Sequence, residues 1–250
     1  VADVDPRERF TSAAHDYARH RPSYPDGLVD RVLAEAGVVP GDPVADVGCG
    51  TGILTRLLAA RGLDVVGIDP NEAMLAEARA AGGPARYRCG EAEATGLEDA
   101  SVALVTVAQA FHWFDAERAL AELHRILQPG GRVAALWNLR APCPFQSDYE
   151  GLLRRFSREY RVLERWEESL DQLRRHPRVG SSREIEAENA QRLDFEGLRG
   201  RAWSSSYVVH GVEDREGFDA GLRALFERHA TGGVLPLPYR SVALVFRVAG

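Results

Sequence analysis

Apolar residues along this chain follow a helical rhythm at first and then switch to short runs. Leu28, Val29, Val32, Leu33 and Ala36 recur at helical spacing behind a Pro25-Asp26-Gly27 start, so Phe10 to Ala36 reads as a helical preface. From Pro43 the runs Val44 to Val47, Leu63 to Ile68, Ala85 to Cys89, Val102 to Ala108 and Val133 to Trp137 predict strands. Between them, Ile53, Leu54, Leu57 and Leu58 form one helical stripe and Leu120, Leu123 and Leu127 another, ended by Gly62 and by Pro129-Gly130-Gly131. Strands alternating with helices at this spacing imply βαβ units and an α/β fold with five parallel strands covered on both faces.

Past Trp137 the rhythm fades. Tyr149, Leu152, Leu153, Phe156 and Tyr160 predict an amphipathic helix, and Glu164 to Glu188 is charged and weakly patterned. Phe218, Leu222, Leu225 and Phe226 predict a last long helix, and Ser241 to Val248 a strand in a C-terminal antiparallel pair. The expected division is a helical N-terminal lid over 1–40, a ligand-binding core over 41–140, and substrate-side helices with C-terminal strands completing the same domain over 141–250.

Composition narrows the classes of function. The 250 residues, 45% hydrophobic and 27% charged, suffice for one elaborated domain. A net charge of −6 disfavours nucleic acid as partner. All 31 basic residues are Arg, which reads as coding bias rather than chemistry. Cys49, Cys89 and Cys143 have neither disulfide nor zinc-site spacing, so no metal is expected. Val1 to Phe10 lacks a signal-peptide core and no run is long enough to cross a bilayer. A cytoplasmic protein, monomer or homodimer, with a small-molecule substrate is the expectation.

The sharpest motif is Asp46-Val47-Gly48-Cys49-Gly50-Thr51-Gly52, which leaves the first strand and opens the first core helix. Ligands of open α/β sheets bind beyond the carboxyl ends of strands, where glycines admit close backbone approach; tight turns use the same residues for packing alone. A dinucleotide fingerprint needs its third glycine where Ile53 stands. Asp46 would repel a pyrophosphate but suits a ligand with an ammonium and a sulfonium. Asp69 ends the second strand, where a carboxylate can accept from both ribose hydroxyls, or simply begin a helix. Glu91, after the third strand, can accept from an adenine amino group beside the Ala92 amide. Acids at three successive strand ends make a cup for a cationic nucleoside.

Val44 to Gly52, Val65-Val66-Gly67-Ile68-Asp69 and Leu123-His124-Arg125-Ile126-Leu127-Gln128-Pro129-Gly130-Gly131 resemble motifs of class I S-adenosylmethionine-dependent methyltransferases, over roughly Pro40 to Trp137. Tyr17 to Pro25 and Ala108 to Asp115 are similar to the branch of methyltransferase type 11 that includes trans-aconitate methyltransferase-like and many natural-product enzymes. The resemblance implies a Rossmann-like fold: a mostly parallel seven-stranded sheet, helices on both faces and a helical lid. It implies S-adenosylmethionine as cofactor, with Asp46, Gly48 and Gly50 at the methionyl part, Asp69 at the ribose, Glu91 and Ala92 at the adenine edge and Met74 on its face. Cys49, Thr51, Pro70, Ala108 and Gln109 complete that wall, and Tyr17 and Arg21 reach it from the preface, Arg21 toward the methionyl carboxylate. Glu91 departs from the Asp more usual in the family.

Methyl transfer from a sulfonium needs alignment and exclusion of water more than dedicated catalysts. Gln109, His112 and Trp113 at the end of the fourth strand are the residues expected near the reaction. His112 is a base for a hydroxyl acceptor or, equally, a structural cap; with a carboxylate acceptor it would position substrate and arginines would anchor the other carboxylates. Trp137, Phe145, Tyr149, Trp166, Trp203 and Tyr207 are either pocket wall or core. The expected activity is methylation of a small molecule, on oxygen in secondary metabolism or on a carboxylate. The alternatives are an S-adenosylmethionine-binding protein with a non-methylation step and a nicotinamide-dependent oxidoreductase.

Overall fold

The computed structural model describes residues 11–160 and 166–249, without the side chains of Ser12 and residues 166–168. Val1 to Phe10, the Trp166 ring and part of the charged run after Glu164 therefore lie outside the described residues. Seven strands form one sheet in the order β3-β2-β1-β4-β5-β7-β6. They are β1 (Pro43–Val47), β2 (Asp64–Asp69), β3 (Arg86–Cys89), β4 (Val102–Ala108), β5 (Leu127–Arg140), β6 (Val179–Leu193) and β7 (Leu235–Val248). The first five pair in parallel, and β7 runs antiparallel to both β5 and β6. This is the Rossmann-like, mostly parallel seven-stranded sheet that the sequence motifs implied.

Alternating side chains divide the core between the two faces. Val44, Leu104 and Ala134 pack with Leu28 and Val32 of α2 (Asp26–Ala36) and Leu54 and Leu58 of α3 (Ile53–Ala59). Ala45, Val105, Val133 and Ala135 face the other way, onto Leu120, Leu123 and Ile126 of α5 (Ala116–Ile126) and Leu170 and Leu173 of α7 (Trp166–Arg174). The helix α4 (Glu72–Ala80) follows β2, with Asn71 capping it through the Met74 amide. A third cluster lies past the strand ends. There α6 (Pro144–Phe156), α8 (Phe195–Trp203), α9 (Ser206–Val209) and α10 (Arg215–His229) gather around Leu153, Leu198, Phe218 and Leu222.

The preface is helical and divides into α1 (Ala14–His20) and α2, because Pro22 forces Arg21 into extended backbone, φ −75° and ψ 144°. Other expectations are corrected. Leu127 opens β5 rather than closing α5, and Gln128 to Gly131 sit in a register shift opposite β4 instead of before the strand. Tyr160 lies beyond the end of α6 at Phe156. The weakly patterned stretch contains the fifteen-residue strand β6, and β7 begins six residues before Ser241. Pro236 and Pro238 are tolerated in β7 because its register with β5 extends only to Tyr239; beyond it the Ala141 amide donates to the Pro238 carbonyl, a bond that does not use the amide N–H proline lacks.

Candidate functional site

The loop leaving β1 is glycine-dependent on both steric and conformational grounds. Gly48, Gly50 and Gly52 all take left-handed backbone, with φ of +70°, +54° and +74°. A Cβ at Gly48 would stand 2.5 Å from the Ala110 Cβ. The Gly48 and Cys49 amides donate to the Ile68 carbonyl, and the Gly50 amide donates to Asp69 Oδ2 at 2.8 Å. Asp69 Oδ1 accepts from the Asn71 amide at 2.9 Å. One carboxylate thus fastens the glycine loop to the head of α4. Burial pushes the Asp69 carboxyl above its ordinary pKa, against the two amide bonds that favour its charge.

Asp46 sits lower, fully buried beneath the loop. Its two oxygens accept from Thr55 Oγ1 at 2.6 Å and Thr106 Oγ1 at 2.7 Å. Burial raises its pKa to about 6, the two hydroxyl bonds offsetting only part of that. It lies on the wall of neither cavity described below. That corrects the expectation of direct contact with a ligand: a carboxylate committed to two threonines acts on the loop from below.

Two cavities open at the carboxyl ends of the parallel strands. The smaller, about 370 Å³, is bounded by Asp69, Pro70 and Met74 on one side and by Glu91, Ala92 and Glu93 on another, with Trp113 and Phe114 closing it. The larger, about 550 Å³, extends from Cys49 and Thr51 past Arg21 to Trp137 and Arg140, then to Arg201 and Tyr207. Tyr17, Gly48, Gly50, Ala108 and Gln109 belong to both. Gln109 holds a positive φ of 56°, with its amide bonded to the Leu136 carbonyl and its Nε2 donating to the Asn138 carbonyl at 3.3 Å. A non-glycine residue in that region costs about 1 kcal/mol or more and is kept only where its surroundings hold it.

The structure therefore gathers Tyr17, Arg21, Gly48, Cys49, Gly50, Thr51, Asp69, Pro70, Met74, Glu91, Ala92, Ala108, Gln109 and Trp113 around two connected spaces. It does not bring His112 there. That ring, in the 3-10 turn Phe111–Trp113, lies on the wall of neither cavity and packs against Trp113, tilted by 46° with centroids 4.8 Å apart. Burial, with the nearby Arg21 charge, lowers its pKa to about 4, which makes it a weak proton acceptor. Of the aromatic residues, Trp137 and Tyr207 line the larger cavity, whereas Phe145 stacks on Tyr149 and Trp203 donates to Asp219.

Sequence reasoning did not single out Arg140 and Arg201. Arg140 ends β5 and donates to the Tyr207 hydroxyl. Burial pulls its guanidinium down, and Tyr207, Tyr149, Tyr239 and Tyr160 more than offset this. Burial pushes the Tyr207 hydroxyl up, but Arg140 and Arg201 draw it down to about 8. With 31 arginines in the chain, no local signal set these two apart. Among the described residues no cluster suited to a metal ion is present, and no helix is long and apolar enough to cross a membrane.

Residues 45–135, which hold the glycine loop, Asp69 and Gln109, match the family model of a methyltransferase domain. The match spans a little over a third of the chain. The chain is 47% identical over 131 residues to an uncharacterized methyltransferase of Mycobacterium tuberculosis, 52% of each chain. It is 35% identical over 105 residues to the malonyl-[acyl-carrier protein] O-methyltransferase of Serratia marcescens, 42% of this chain and 41% of that one. The chain thus aligns with about half the length of these curated relatives, or less. A solved structure described as a type II methyltransferase from Anaeromyxobacter dehalogenans superposes with a TM-score of 0.61 at 28% identity, over 91% of this chain and 96% of that one. The likeness to that structure extends beyond the methyltransferase domain to the strands and helices after Trp137.

Proposed function

We propose that the protein binds S-adenosylmethionine in the smaller cavity and directs its methyl group to an oxygen of a small molecule held in the larger one. The observation that carries this reading is the contact between the two spaces at Gly48, Gly50 and Gln109, on a methyltransferase domain.

The residues present fit that cofactor. Asp69, Glu91 and Glu93 give the smaller cavity an acidic lining, which favours a cationic nucleoside and opposes a pyrophosphate. A Cβ at Gly50 would stand 3.3 Å from the Met74 methyl, so the glycine keeps open the space between loop and Met74. The Arg21 Nε is buried and has no partner among the described residues. Asp69 would take the ribose hydroxyls, Glu91 and the Ala92 amide the adenine edge, Met74 its face, and Arg21 the methionyl carboxylate, with Tyr17 closing over the junction. When bound, the cofactor supplies an electrophilic methyl on a sulfonium leaving group. The chain's task is then to hold the acceptor oxygen in line with it and keep water out. The N-terminal segment over both cavities serves the second purpose as a lid.

The test is calorimetric titration with S-adenosylmethionine, S-adenosylhomocysteine and NADH. Both sulfur nucleosides should bind and NADH should not; preference for NADH overturns the reading. Asp69→Ala should weaken S-adenosylhomocysteine binding by roughly 1.5–3 kcal/mol, about 10- to 100-fold, as expected for a lost charged hydrogen bond. A folded variant with unchanged affinity removes Asp69 from the ribose site.

A further inference from the structure

The larger cavity holds a charge imbalance. Four arginines reach its wall: Arg154 of α6 pairs with Glu150, and the other three are Arg21 from the end of α1, Arg140 from the end of β5 and Arg201 from α8. Among the described residues, none of the three pairs with a carboxylate. Arg21 donates to the Ser204 carbonyl at 2.8 Å, Arg140 to the Tyr207 hydroxyl, and Arg201 to Ser205 Oγ at 3.1 Å and the Tyr239 hydroxyl at 3.3 Å. Glu150, the carboxylate on that wall, accepts from Gln146 Nε2 at 2.9 Å and lies 3.9 Å from Arg154. Arg21 can be matched by the methionyl carboxylate of the proposed cofactor. Arg140 and Arg201 are left as buried cations whose protein partners are serine and tyrosine hydroxyls and, for Arg140, the Tyr149 and Tyr207 rings, so the opposite charge that would complete them is left for a ligand to supply.

Trp137 Nε1, Thr51 Oγ1 and Arg21 Nε belong to residues of this wall and are buried without a partner among the described residues. Position separates this cluster from the reaction. Neither Arg140 nor Arg201 lies on the wall shared by the two cavities. Gln109, which does, reaches the Asn138 carbonyl, and Arg140 stands two residues further on the same side of the strand, on the order of 7 Å away.

Taking the larger cavity as the acceptor chamber, we propose that the acceptor is an organic anion whose non-reacting carboxylate or phosphate is seated between Arg140 and Arg201, several bonds from the atom that is methylated. The anion anchors and the far end of the molecule meets the methyl group, so the pair selects acceptors by charge without taking part in the chemistry.

The test measures binding of glutarate, inorganic phosphate and the neutral glutaramide by calorimetry, with and without saturating S-adenosylhomocysteine. Glutarate or phosphate should bind in both conditions at least tenfold more tightly than glutaramide, and the preferred anion tells carboxylate from phosphate. Arg140→Gln and Arg201→Gln should each weaken that anion at least tenfold while changing S-adenosylhomocysteine affinity less than twofold. If a Gln variant fails to fold, Arg140→Lys and Arg201→Lys keep the charge and should lose only part of the affinity. Equal binding of glutarate, phosphate and glutaramide, or full anion affinity in folded Gln variants, overturns the anion seat. Failure of S-adenosylhomocysteine to bind the unaltered protein sinks the cofactor reading instead, and anion binding in its absence is still read separately.

Discussion

Asp46 shows how a residue can serve a site without touching a ligand. It spends its charge inside the protein, where burial raises its pKa from 3.8 to about 6. A raised carboxyl favours folding in its protonated form: that contribution is complete below about pH 4 and is lost as pH rises through 6. A rise of this size is worth about 3 kcal/mol at neutral pH. Asp46→Asn keeps the shape and a polar partner for Thr55 and Thr106 while removing the buried charge. Its melting temperature should therefore exceed that of the unaltered protein at pH 7.5, with the gap closing by pH 4. A variant less stable at every pH would mean that the hydroxyl bonds to the ionised form outweigh its burial. At this scale the sequence was legible where placement rides on backbone position, as at Asp69, Glu91 and Gln109, which the ends of successive strands bring to the smaller cavity. His112 was left open between base and structural cap; the 3-10 turn after β4 buries its ring against Trp113 and off the walls of both cavities, and a turn's direction leaves no trace in residue types.

At the scale of elements, the glycine loop is the most constrained piece. Gly48 combines left-handed backbone with an approach of 2.5 Å from an added Cβ to Ala110, so a substituent there must move the turn that follows β4. Gly48→Ala should lower the melting temperature and weaken S-adenosylhomocysteine binding by at least tenfold, both read on the same purified variant. Normal affinity in that variant would show that the loop tolerates displacement. The parallel strands were readable because burial on both faces makes them continuous apolar runs. The strand β6 was not, for a physical reason: its inward positions turn polar at Asn189 and Gln191, which donate to the Ser23 and His20 carbonyls of the N-terminal segment. Those side chains satisfy a neighbouring backbone rather than a core, and an apolar pattern has no term for that.

For the molecule as a whole, the segment that brings Tyr17 to both cavities and Arg21 to the larger one is held by a series of polar ties. Asn71 reaches Thr11 at 2.9 Å, Gln191 the His20 carbonyl at 2.9 Å, Arg21 the Ser204 carbonyl at 2.8 Å, and Asn138 with Asn189 the Ser23 carbonyl. These ties come from α4, β6, the turn after α8 and β5, so the segment spans the sheet from one half to the other. Bonds of this kind contribute about 1 kcal/mol each, and segments with few buried apolar contacts open at low free energy. By contrast α2, next in the chain, is anchored by Leu28, Val29 and Val32 in the core. Amides 14–20 should therefore exchange with solvent faster than those of α2 in the free protein. Saturating S-adenosylhomocysteine should slow them about tenfold or more through Tyr17 and Arg21, leaving α2 unchanged. Exchange of amides 14–20 that ignores the ligand would mean that the segment is a fixed wall and that Tyr17 and Arg21 do not close over the cofactor. Slowing there without a change in α2 makes the segment a lid, and it places the entry of both ligands beneath α1.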